Sequence, residues 1–231
     1  MMKFLFLFFI PLIFTLFGQR SSILKTNKRL FRESTELSEP ILKSLIKKIA
    51  KTLELPEIPV RVYEVKSFNG LATPDGKIFL TRGTLDAFYA GRVTAEELSS
   101  IVAHELGHVA LGHSKRRIVD FSMQNALRII LSLTLGRLIP AIGVYIANLI
   151  ASLLAAKLSR NDEFEADAYA AAVLTKAEIG TEPQISLLKK LDHLTASDGL
   201  VPQWLLSHPK VSDRIRAISE HTREWNSKNT T

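Results

Sequence analysis

The chain has 231 residues, room for one substantial domain with short appendages. It contains no cysteine, which excludes disulfides, thiolate metal ligands and a cysteine nucleophile, and leaves histidines and carboxylates as the side chains able to hold any metal. The formal net charge of +7 suits anionic lipid or acidic partners, but the cations are scattered and no nucleic-acid-binding motif accompanies them, so no nucleic acid is expected as a partner.

Residues 1–20 place Lys3 before an apolar run from Phe4 to Phe17. That run is shorter than the roughly 20 residues of a comfortable membrane span, and it reads as a signal peptide or an N-terminal membrane anchor. It points to the extracytoplasmic cell envelope, periplasmic or membrane-associated. Arg20, Lys25, Lys28, Arg29 and Arg32 follow it and pull the other way under the positive-inside rule. Residues 21–39 are polar and read as a linker. From Pro40 to Leu53 the apolar residues recur at helical spacing, with Lys47, Lys48 and Lys51 on the other face. Val60–Val65 and Lys77–Thr81 have strand character, and Asn69-Gly70 and Pro74-Asp75-Gly76 between them are turn chemistry. The expected sheet is small and antiparallel. A short helix over Gly83–Tyr89 leads into the next segment.

From Thr94 to His113 the spacing predicts one helix. Thr94 and Glu97 form a capping box, Gly112 suits a left-handed stop, and Leu98, Ile101, Val102, Leu106 and Val109 bury one side. Into it are set His104, Glu105 and His108, the His-Glu-x-x-His arrangement. Histidines four residues apart share a face, so their imidazoles can meet on one zinc ion, while Glu105 can take a proton from a water held there. Residues 126–157 are almost wholly apolar and form a helical hairpin insert. It is read first as buried or interfacial, with two crossings of a membrane as the alternative, because a single crossing would separate His104 from any later ligand.

At Leu158–Leu174, Ser159 and Asp162 cap a new helix or punctuate a longer one. Glu163 and Asp167 lie four apart beside Ala166, Ala170 and Ala171, a side thin enough for close packing. Carboxylates on such a face need a cation. Glu163 is the expected third zinc ligand, and Asp167 is placed to orient a ligand histidine from behind. Residues 183–195 form another amphipathic helix. Pro209 at a first helical position makes His208, taken alone, a capping residue. Residues 226–231 are a polar tail, and residues 40–225 form the zinc-binding domain.

The order His104-Glu105-x-x-His108, Ser159-Arg160, Glu163-x-x-x-Asp167, His208-Pro209 and Arg214 resembles the HtpX / CAAX prenyl protease type 1 family of gluzincin zinc metalloproteases, including its BepA-type and Oma-type envelope members. Asn69-Gly-Leu-Ala72 before Gly76-Lys-Ile-Phe also resembles that family's stretch ahead of a substrate-binding edge strand. A metzincin is a poorer match, since Leu111 stands where it would need glycine. The resemblance implies an α+β fold, a mainly helical gluzincin core with a small sheet beside the active-site helix. It implies one Zn2+ per chain on His104, His108 and Glu163, Glu105 as general base, and His208 with Arg214 on the oxyanion. It also implies substrate contacts at Asn69, Ala72, Ile78 and Leu80, with polypeptide substrates adding as a strand along Ile78–Thr81. The expected activity is endopeptidase cleavage of misfolded or membrane-associated proteins, with membrane association. The rival reading is a zinc-stabilised envelope chaperone without proteolysis.

Overall fold

The structure, a computed structural model, describes residues 24–140, 142–197 and 210–228. The apolar run of residues 4–17, His208 and Pro209, and residues 229–231 lie outside the described residues. The chain divides into two compact units. Among the described residues, one unit is built from 30–112, 162–197 and 210–228, the other from 24–29, 113–140 and 142–161.

The first unit carries a four-stranded sheet and most of the helices. Strand β1 is Ser34–Glu36, β2 is Val60–Tyr63, β3 is Gly70–Ala72 and β4 is Ile78–Thr81. Their order across the sheet is β1-β2-β4-β3. β1 and β3 pair antiparallel with β2 and β4, whereas β2 and β4 are parallel, Val60 opposite Ile78. The sheet is therefore mixed, correcting the expectation of an antiparallel one. The cause is the turn at Pro74-Asp75-Gly76. Thr73 N donates to Lys77 O at 2.9 Å and Gly76 takes φ +87°, so β3 folds back on β4 and turns β4 into the direction of β2. The supposed linker also contains structure. Residues 24–32 are helical, and Arg61 holds β1 by donating from Nε to Ser34 Oγ at 2.8 Å and from Nη2 to Ser34 O at 2.6 Å.

Helix α1, Pro40–Thr52, starts with proline at its first turn and Glu39 accepting from Ile41 N at 3.2 Å. It buries Leu42, Ile46, Ile49 and Ala50. Helix α2 is Arg82–Tyr89 and α3 is Ala95–Ala110. At the start of α3, Thr94 N donates to Glu97 Oε2 at 2.8 Å and Glu97 N to Thr94 Oγ1 at 3.2 Å, the reciprocal cap expected from sequence. Glu97 is buried, and it also accepts from Ser186 Oγ at 2.6 Å and Lys190 Nζ at 2.8 Å, which ties the start of α3 to the helix that carries them. Gly112, at φ +69°, ends the segment in the left-handed region as expected.

Beyond it, α4 is His113–Leu138, α5 is Gly143–Lys176, α6 is Glu182–Ser197 and α7 is Val211–Lys228. α5 runs unbroken through Ser159 and Asp162, so these residues punctuate a longer helix and do not cap a new one. Its first part, with α4, forms the hairpin of the second unit. α7 extends to Lys228, into residues expected to be tail. The core of the first unit joins α1, β4, α3, the second half of α5, α6 and α7, with Leu42, Ile49, Ile78, Leu80, Leu98, Leu174 and Ile218 wholly enclosed.

Candidate metal centre and active site

The site begins with close contact between two helices. A Cβ on Gly107 would lie 3.0 Å from both Cα and O of Ala166, so any larger residue there would push α3 and the second half of α5 apart by a few tenths of an ångström. Ala166, Ala170 and Ala171 supply the thin surface on the other side and are fully buried. This approach brings Glu163 and Asp167 onto the histidine pair.

His104, Glu105, His108, Glu163 and Asp167 are all buried. His104 Nε2 and His108 Nε2 are 3.2 Å apart, and the Glu163 carboxylate faces both, Oε2 3.3 Å from His104 Nε2 and Oε1 3.5 Å from His108 Nε2. Four-coordinate zinc with bonds near 2.0–2.1 Å has ligand atoms about 3.3–3.4 Å apart along each tetrahedral edge. The three side chains hold that spacing, and two imidazoles with a carboxylate are a donor set suited to a divalent cation. The site expected from sequence therefore has its residues together, and they fit the ion.

Behind His104 lies a second layer. Its Nδ1–H donates to Asp167 Oδ1 at 3.0 Å, which turns the Nε2 lone pair towards Glu163 and His108. Asp167 in turn accepts from Arg214 twice, Nε to Oδ2 and Nη2 to Oδ1, both at 2.6 Å. Gln184 Nε2 donates to the Asp167 backbone oxygen at 3.3 Å and to Oδ1 at 3.4 Å. Burial alone would raise the Asp167 carboxyl, but the Arg214 charge and its two bonds outweigh it and hold the group well below the carboxylate range. Burial likewise works against charge on His104, yet the hydrogen bonds to Asp167 and Glu163 prevail and raise its pKa, and an ion at Nε2 would take the place of that second proton. Arg214 loses from burial and gains more from Asp167, so its pKa rises.

Arg214, expected on the oxyanion, is 1% exposed, clasps Asp167, and its Nη2 lies 3.5 Å from Nδ1 of His104, the ring nitrogen turned away from Glu163. One expectation needs correction here. β4 is not the free edge, because it is hydrogen-bonded to β2 on one side and β3 on the other, with Ile78 and Leu80 fully buried. The edge beside the active-site helix is β3. A Cβ on Gly70 would overlap Ile101 Cγ2 and lie 3.7 Å from Glu105 Cγ, so the strand runs against α3 at the general-base candidate. Asn69 anchors its start through the backbone, donating to Thr81 Oγ1 and Thr84 Oγ1, each at 2.9 Å, and Ala72 ends it half-buried. The part played by Gln184 carried no signal in the sequence. Gly107 did carry one, as the small residue inside the His-Glu-x-x-His turn.

The chain is 28% identical over 160 residues to Metalloprotease LoiP of Escherichia coli (strain K12), covering 69% of this chain and 61% of that protein. Over 178 residues it is 30% identical to Metalloprotease YcaL of the same organism, covering 75% and 67% respectively. It is 32% identical over 144 residues to the CAAX prenyl protease 1 homolog of Homo sapiens, covering 53% of this chain and 30% of that one. The chain thus spans less than two thirds of the length of LoiP and about two thirds of YcaL. Residues 36–222, a stretch holding every metal-site residue described above, match Peptidase family M48, and the chain belongs to that family.

Proposed function

We propose that this protein is a zinc-dependent endopeptidase that hydrolyses peptide bonds of polypeptides presented as an extended strand. The observation that carries the reading is the 3.2–3.5 Å triangle of His104, His108 and Glu163 donor atoms with Glu105 beside it. Zinc, when bound, polarises the scissile carbonyl and makes a water acidic enough to attack near neutral pH. Glu105 takes the proton from that water and returns it to the leaving amine. Asp167 fixes the His104 ring, and Arg214 and Gln184 fix Asp167. These three are positioning residues, remote from the reacting atoms.

The substrate strand adds along β3, from Gly70 to Ala72, where backbone groups of an edge strand can pair with a peptide. Such pairing reads main chain more than side chain, consistent with unfolded or membrane-associated proteins as substrates. The apolar run of residues 4–17 supports a place in the cell envelope. His208 is retained by resemblance as the oxyanion donor.

The test is casein cleavage by the purified protein, with zinc content measured in parallel. Glu105→Gln should keep zinc and lose about 10²–10⁴-fold in kcat, the range for a general acid–base group. Cleavage by Glu105→Gln at the wild-type rate would refute the assignment. Zinc bound without cleavage by wild type would favour the chaperone reading.

A further inference from the structure

The hairpin of the second unit has the burial pattern of a soluble helix pair turned inside out. Along α5 the residues at 143, 147 and 151, which are Gly, Ala and Ala, are buried. The large residues face out instead. Tyr145 is 75% exposed, and Leu149 and Leu153 about 60%, a stripe four residues apart along the helix. On α4, Ile130, Leu133 and Leu138 are exposed too, and Ile139 and Ile142 carry the surface across the turn. A soluble helix pair buries its leucines, whereas helices in an apolar solvent pack through small residues and turn the large ones outward. An apolar surface this continuous marks a contact site.

Charge and length identify the occupant. Residues 113–161 contain seven Lys and Arg against one Asp, a net +6 within a chain of +7. Arg128, Arg137, Lys157 and Arg160 are exposed around the apolar surface. Arg137 lies four residues after Leu133 and so on its face, a cation set into the apolar patch. The bilayer centre disfavours that group, while the headgroup boundary accepts it, the stem lying on acyl chains and the guanidinium on phosphate. The exposed stretch Ile142–Leu154 is about 20 Å long as a helix, against a hydrocarbon core of about 30 Å. Among the described residues no helix is long and apolar enough to cross a membrane. We infer that the hairpin of α4 and the first part of α5 docks by its outward Leu, Ile and Tyr face into one leaflet of an anionic lipid bilayer, without crossing it. This inference is independent of the zinc site.

The absence of cysteine allows a local test in the full chain. Leu149→Cys, labelled with an environment-sensitive dye, reports on the hairpin whatever residues 1–20 do, and Leu153→Cys repeats the measurement at a second exposed site. Vesicles of phosphatidylcholine with phosphatidylglycerol should shift the emission to the blue and raise it several-fold, with strongest quenching by lipids brominated near the headgroup. The same dye at Ile41→Cys, exposed in the other unit, should not respond. Arg128→Gln with Arg137→Gln should weaken the partition about 30-fold, about fivefold for each charge near an anionic surface. No response at either hairpin site overturns the inference. So does an equal response to phosphatidylcholine alone, and so does strongest quenching at the bilayer centre. A blue shift that grows with protein concentration and needs no lipid assigns the surface to a second copy of the chain and also overturns it.

Discussion

Replacing Arg214 by methionine isolates the layer behind the metal ligands. Methionine keeps much of the side-chain bulk and removes the guanidinium, leaving Asp167 buried without the group that donates to it twice at 2.6 Å. Both side chains are 2% exposed, so water does not replace the lost partner. Breaking a buried pair from one side costs about 3–5 kcal/mol. For a domain of this size, each kcal/mol lowers Tm by about 2–4 °C, so thermal melting should drop by about 6–20 °C. The deficit should also depend on pH, and the sign follows from the depressed Asp167 carboxyl. In wild type its contribution is present above the unfolded value of about 3.9 and is lost as pH falls through the lower folded value. In Arg214→Met the carboxyl rises, so the variant's deficit is greatest at neutral pH and narrows towards acid, as the variant's carboxyl takes up its proton while that of wild type stays ionised. The double variant Asp167→Asn with Arg214→Met should recover part of the loss, since it leaves no charge unmatched. Melting curves by circular dichroism from about pH 3 to 8, which covers the unfolded carboxylate and the variant's raised carboxyl, check all three outcomes. A Tm within about 2 °C of wild type, with kcat lowered and zinc intact, would refute this placement of Arg214 and return it to the oxyanion.

Removing a metal ligand should act differently. His104→Ala and Glu163→Ala should each lose zinc, measured by elemental analysis, and melt earlier because the ion binds only the folded state; full occupancy in both would remove the ligand assignment. Gly107→Val, whose Cβ would sit 3.0 Å from the Ala166 backbone, should lower stability by about 1–3 kcal/mol in urea unfolding and weaken zinc as the two helices part. Glu97, depressed by Lys190 and Ser186 against the opposing effect of its burial, contributes stability above the unfolded carboxylate value that is lost as pH falls through the folded one. Glu97→Gln should therefore flatten the acid limb of the stability profile. His208→Phe should lower kcat by about 10²–10³-fold with zinc unchanged, as for loss of an oxyanion donor, and a wild-type rate would leave it a helix cap.

Much of the site was legible because it sits on long periodic helices. The capping box at Thr94 and Glu97, the pair His104 and His108, and the pair Glu163 and Asp167 are all local patterns of three or four residues. The alanines beside Glu163 and Asp167 signalled close helix contact before any partner was known. β1 and β3 escaped because three residues are too few to show alternation, and Gly70 in β3 looked like part of a turn. The parallel pairing of β2 with β4 depends on where the strands lie, which no local pattern records. Arg214 was legible as a functional residue, but its clasp on Asp167 was not. The distinction between front and back of His104 is set by a contact across 110 residues of sequence.

That separation bears on the order in which the protein comes to life during synthesis. His104, Glu105 and His108 emerge first, Glu163 and Asp167 later, and Arg214 arrives with α7, the last helix described. A chain halted before α7 contains the ligands and the general base, yet Asp167 would then be a buried carboxylate without its cation, and the ring it steadies would not be held. On the proposed function, full cleaving power would then depend on a residue translated after the three ligands, the general base and Asp167, and the chain's own unfinished polypeptide would meet the site before that power is complete.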